Sequence, residues 1–121
     1  MTASQIRCLL ALLALSRPGG KVFSKDVADA LGISRPSAHR LLEALVLQGY
    51  VEKEAYGRAV LTDAGREEAE RMAKHKEALA RIFEKQFAVP EDQSGLAAVA
   101  LMCTLDEETL VRIENSGKSE R

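Results

Sequence analysis

The residues best suited to chemistry in this chain fall into three groups. The first is Ser34-Arg35-Pro36-Ser37 with His39 and Arg40. If this segment is a helix that buries Ala38, Leu41, Leu42 and Leu45, those residues form its outward face at the N-terminal end. Arginine can bond guanine bidentately, serine can reach a base or a phosphate, and proline can touch a thymine methyl. The second group is Lys53 and Arg58, in what reads as a β-hairpin around Tyr56-Gly57-Arg58 with a basic tip, suited to phosphate or minor-groove contact. The third is His75, Met102, Cys103 and Cys8, whose imidazole, thioether and thiols are soft donors. The competing reading of the first two groups is ordinary solvated side chains on a structural helix pair.

The chain that positions them has 121 residues, enough for one domain or a small domain with an appendage. Hydrophobic residues make up 46%, which excludes a disordered polar chain. The two cysteines exclude a disulfide framework, and the net charge of −1 excludes a uniformly basic nucleic-acid coat. That charge is an average of two unlike halves. Residues 1–61 carry eight bases against five acids, and residues 62–121 carry nine bases against thirteen acids. A positive front half suits a polyanion, and the negative back half has another task.

The apolar run 8–15 (CLLALLAL) is too short to span a bilayer and lacks a cleavage site before Arg17, so it is expected to be a buried helix of a cytoplasmic protein. That first helix covers about 3–16 and stops at Arg17-Pro18-Gly19-Gly20. After a short extended piece at Val22-Phe23, Ser24 is expected to cap a second helix with Asp26 in its first turn, ended by Gly32. Ser34 caps the third, with Pro36 in its first turn, and Gly49 ends it. A fourth, long helix runs from Thr62 to about Phe87 and stops at Val89-Pro90. A fifth, 91–103, has no polar face over 96–103 and is expected to be buried all round. Thr104-x-x-Glu107 fits a capping box for a last helix over 105–114. Residues 116–121 are expected to be a disordered tail.

Ala28, Gly32 and Ala38 carry the decisive spacing. Two helices that cross through a tight turn need a small residue where they touch, a glycine at the turn, and small or apolar residues on the inner face of the second helix. Val27, Leu31, Ile33 and Leu41 fill the other inward positions. The expected fold is therefore mainly α. A winged helix-turn-helix DNA-binding domain spans 1–62, and a helical dimerisation region spans 63–115. The unbroken apolar fifth helix independently favours a homodimer, because a chain this small has little with which to cover it.

The segment from Gly32 to Leu45, then Gly49-Tyr50-Val51, the hairpin and Leu61-Thr62-Asp63-Ala64-Gly65, is shared by several winged-helix families. The second half is more telling. Lys74-His75 on the long helix, Phe87-Ala-Val-Pro-Glu91, the apolar helix and Leu105-Asp-Glu-Glu-Thr-Leu-Val-Arg-Ile113 resemble the diphtheria-toxin-repressor and manganese-transport-regulator family, in its shorter form. The resemblance covers the chain to about Ile113. It implies a dimeric repressor that brings two recognition helices to a palindromic operator on double-stranded DNA, with a divalent metal as corepressor.

The same resemblance implies metal ligands at the start of the first helix and on the fourth and fifth helices. Those positions hold Arg7 and Leu10, then His75 and Leu79, then Val99, Met102 and Cys103. Only His75 matches, and the carboxylates that suit Mn or Fe are missing. Two readings of His75 stand: a hydrogen-bonded residue of the interior, or a ligand in a soft site with Met102, Cys103 and Cys8 that would take Zn or Cu. Cys8 and Cys103 likewise read either as small hydrophobes or as a redox pair. The cofactor is thus Mn, Fe, Zn or Cu, or none.

No nucleotide-binding glycine loop, Ser/His/Asp arrangement or carboxylate pair on an apolar background occurs, so an enzyme is not expected. Two further readings remain. One is a regulator of the multiple-antibiotic-resistance type, answering a small organic ligand or oxidation. The other is a winged-helix module that binds protein partners and no DNA.

Overall fold

A computed structural model describes residues 1–16 and 20–119. The fold is a winged helix-turn-helix followed by C-terminal helices. Its elements are α1 (Ala3–Leu15), β1 (Lys21–Phe23), α2 (Ser24–Leu31), α3 (Arg35–Leu47), β2 (Val51–Glu54), β3 (Arg58–Leu61), α4 (Asp63–Phe87), α5 (Glu91–Thr104) and α6 (Glu107–Ser119). The expected stop at Arg17-Pro18-Gly19 lies outside the described residues. The chain divides into two compact units, Thr2–Glu70 and the residues from Arg71 onward.

In the first unit, Thr2 and Gln5 form a reciprocal capping box that starts α1. The sequence reading missed it. Ile6, Cys8, Leu9 and Leu12 of α1 are buried, and α1 packs on α2 and α3. Each buried leucine stabilises the unit by about 1.5–3 kcal/mol. Gly32 ends α2 at φ 66°, ψ 36°, the left-handed conformation that a residue without Cβ adopts cheaply. Ser34 then caps α3, accepting from the Ser37 amide at 3.2 Å. The cap expected at Ser24 is not there. Strand β1 carries extended backbone to Phe23, which is the N-cap without a side-chain bond, and Ser24 is already helical.

The sheet order is β1-β3-β2, antiparallel throughout, with Val22 opposite Ala59 and Glu54 opposite Arg58. Val22, Val51, Ala59 and Leu61 turn into the core. Arg58 thus begins a strand, and the tip is a single turn over Ala55–Gly57. Thr62 ties the hairpin to α4: its Oγ1 accepts from the Gly65 amide at 3.0 Å and donates to the Gly49 carbonyl at 2.7 Å. A Cβ on Gly65 would lie 1.9 Å from the Tyr50 carbonyl oxygen, so only glycine fits.

In the second unit, Met72, His75 and Leu79 form the buried stripe of α4. The helix closes with Ala88 at φ 54° and the Val89 amide donating to the Phe83 carbonyl at 3.1 Å. Helix α5 departs from expectation. It buries Ser94, Ala98, Val99 and Met102, but Leu96, Ala100 and Cys103 face outward within the single chain. The last helix starts later and runs further than its sequence implied. Thr104 closes α5, its hydroxyl donating to the Ala100 carbonyl at 2.7 Å. Asp106 caps α6 instead, accepting from the Thr109 amide at 2.8 Å. Those bonds from Thr109 hold the Asp106 carboxyl below its usual range. Residues 116–119, expected to be disordered, continue α6; residues 120 and 121 lie outside the described residues. No helix among the described residues is long and apolar enough to cross a membrane.

Candidate nucleic-acid interface

The cap that starts α3 also organises its outward face. Ser34 Oγ donates to Ser37 Oγ at 2.9 Å, and Arg40 Nη2 donates to the same Ser37 oxygen at 3.2 Å. Ala38, Leu42 and Leu45 are fully buried on the opposite side. Arg35, Pro36, His39 and Arg40 are exposed, and Ser37 is half-buried. Two guanidinium groups therefore stand on one short surface at the helix N-terminus, where the exposed amides add positive potential. Such a surface suits a phosphate-lined groove.

The other basic residues do not stand ready in the same way. Lys53 on β2 is drawn back to α3, its Nζ 2.9 Å from Glu43 Oε1 and 3.1 Å from His39 Nδ1. This cross-link ties β2 to α3 and engages the His39 ring. Arg58 lies with its guanidinium 5.6 Å from the centroid of the Phe23 ring, and its Nε is buried without a hydrogen-bond partner. The expected basic tip is replaced by Tyr56, which is 89% exposed. The sequence reading passed over Tyr56 because nothing in the local pattern tells a tip residue from its neighbours in a three-residue turn.

The soft metal set is not assembled as expected. His75 is buried, but its Nδ1 lies 2.5 Å from Glu114 Oε2 and its Nε2 lies 2.6 Å from Glu107 Oε2. Both ring nitrogens are thus occupied by carboxylate partners and neither is turned to an open site. Arg71 also pairs with Glu107. Partial burial opposes ionisation of Glu107, but the hydrogen bond from His75 and the charges of Arg71 and His75 outweigh it and hold the carboxyl below its usual range. Met102 is buried. Cys103 is exposed, with its thiol donating back to the Ala100 carbonyl at 3.3 Å. Cys8 belongs to the other compact unit, where burial pushes its thiol up to about 11. Leu79 and Val99, at two positions where the resemblance implies ligands, are buried hydrocarbon. Among the described residues no group of three or more His, Cys, Asp or Glu side chains could hold a metal ion. The residues present do not fit the corepressor metal.

Comparison with known proteins supports the fold. The family model of the IclR helix-turn-helix domain matches residues 7–55. No curated protein matches the chain in sequence. The manganese regulator SloR superposes with a TM-score of 0.81 at 20% identity, over 95% of this chain and 54% of that one. IdeR of T. acidophilum superposes with a TM-score of 0.70 at 20% identity, over 100% of this chain and 56% of that one. The chain thus spans about half the length of these two regulators. A MarR family protein of Mycobacterium tuberculosis also matches, with a TM-score of 0.53 at 18% identity over 96% of this chain and 71% of that one. At these identities the likeness is one of fold, and the fold is that of helix-turn-helix transcription regulators.

Proposed function

We propose that this chain is a DNA-binding transcriptional repressor that works as a homodimer on a palindromic operator. The observation that carries the reading is the N-terminal face of α3. Arg35 and Arg40 are exposed there, and Ser34 and Ser37 order the turn beneath them. Residues 1–62 serve as the reading domain and residues 63–115 as the dimerising one. Arg35 and Arg40 contact bases or phosphates, and Ser37 and Pro36 lie close enough to the same groove to contribute. Lys53 and His39 hold the wing in register with α3. For dimerisation, Leu96, Ala100 and Cys103 recur at helical spacing on one face of α5, and Leu96 is 51% exposed. A second copy is the occupant this reading assigns to that face.

The reading takes its DNA target from the surface and no corepressor from the resemblance, since His75 is consumed by Glu107 and Glu114. An effector other than the family's divalent metal is favoured on that ground. The test is duplex binding by the purified full chain at low salt, with and without Mn, Fe, Zn or Cu. Binding that is independent of metal is expected. No binding under any of these conditions would sink the proposal in favour of a protein-interaction module.

A further inference from the structure

We infer that the wing meets DNA through Tyr56, an uncharged aromatic tip, and not through its cations. This rests on the DNA-binding reading and names a contact within it. Each of the three cations of the sheet is already engaged on the protein. Lys21 pairs with Glu54 at 3.2 Å, Lys53 with Glu43 at 2.9 Å, and Arg58 lies over the Phe23 ring. Releasing any of them to a phosphate means breaking an existing contact first. The turn that remains at the end of the hairpin is Ala55-Tyr56-Gly57.

Tyr56 sits there at φ 64°, ψ 34°. Left-handed backbone at a bulky residue is strained, and a hairpin turn normally places Gly, Asn or Asp at such a position. The side chain regains nothing from the fold, since 89% of it is exposed. Strain held at an exposed residue is a mark of a site with an external partner. A phenol offers a hydroxyl that donates to a phosphate oxygen and a flat ring that lies against deoxyribose. Gly57 beside it is also left-handed, at φ 72°. The partner is the sugar-phosphate wall of the duplex that flanks the groove read by α3.

The test uses the full chain and a labelled mixed-sequence duplex at several salt concentrations, with Tyr56→Gly, Tyr56→Phe and Arg40→Ala. Glycine adopts the turn without strain, so Tyr56→Gly should melt within a few degrees of the unmodified protein. It should lose affinity about tenfold, the value of one hydrogen bond to a charged oxygen. Its salt slope should be unchanged because no cation is removed, whereas Arg40→Ala should lower the slope by about one. Tyr56→Phe should show most of the Tyr56→Gly loss. The chain has two tyrosines and no tryptophan, so in Tyr50→Phe the tyrosine emission reports Tyr56 alone and should be quenched by the duplex. A Tyr56→Gly protein that binds like the unmodified one while Arg40→Ala is weakened would overturn this inference and leave the DNA reading standing. No duplex binding by the unmodified protein would overturn both.

Discussion

The two compact units differ in what they bury beside hydrocarbon. The core of Thr2–Glu70 is hydrocarbon: Ile6, Leu9, Leu12, Val27, Leu42, Leu45 and Val51 are all fully or almost fully buried. The unit from Arg71 onward also buries hydrocarbon, Leu79, Val99 and Leu110 among it, but adds His75 and Ser94, each against a carboxylate, Glu114 for the first and Glu84 for the second. A hydrocarbon core is indifferent to acid, its Cys8 thiol responding only to alkaline pH, and tolerates no loss of volume. Polar pairs within a core are sensitive to protonation, because each buried group needs its partner in the right state. The first unit depends on close packing, and the second adds polar pairs that can respond to conditions.

That contrast can be broken in the Thr2–Glu70 core first. Leu42→Ala should cost about 2–5 kcal/mol, measured by urea unfolding, because the cavity opens in a close-packed apolar site. A cost below 1 kcal/mol would mean that this core is looser than described. Gly65→Ala should cost about 1–3 kcal/mol or more, since its Cβ must push the Tyr50 carbonyl aside. In the second unit His75→Ala should cost about 1–3 kcal/mol by leaving the half-buried Glu114 carboxylate without its donor. Acid should sharpen the contrast. Glu107 is held below its usual range when folded, so its contribution is present above the ordinary carboxylate range and is lost as pH falls through the folded value. Glu107→Gln should therefore flatten the acid limb of the melting curve, and an unaltered limb would remove Glu107 from the account.

The smallest effects concern the thiols. Cys8 titrates near 11 when folded against 9.0 in the open chain, so it keeps its proton and the folded state gains from that below pH 9. The gain fades as pH rises through about 11. At neutral pH a thiol-labelling reagent should leave Cys8 untouched in the native protein and modify it on unfolding. Native labelling of Cys8 would show that α1 opens readily.

The same contrast explains what was legible in the sequence. Apolar periodicity and local caps are written within a few residues of one another, so Gly32, Ser34 and the α3 stripe could be read directly. Polar pairing between helices is not local. Glu107 and Glu114 stand 32 and 39 positions from His75, and no spacing rule joins them. The stacking of Arg58 on Phe23 and the link from Lys53 to Glu43 were hidden for the same reason, which is why the tip was expected to be basic. At Thr104 the local signal itself misled, because Asp106 competes for the same cap and wins by lying directly before the helix.

The central claim is that α3 carries a DNA-reading surface, and the salt dependence of duplex binding by the purified full chain tests it most directly. The account predicts binding at low salt that weakens linearly in log–log form, with a slope of several units at roughly 0.9 per phosphate contacted. It also predicts that Arg35→Ala and Arg40→Ala each cost about 1–3 kcal/mol where they reach bases. Absence of binding at low salt, or binding that neither salt nor these substitutions alter, would contradict it.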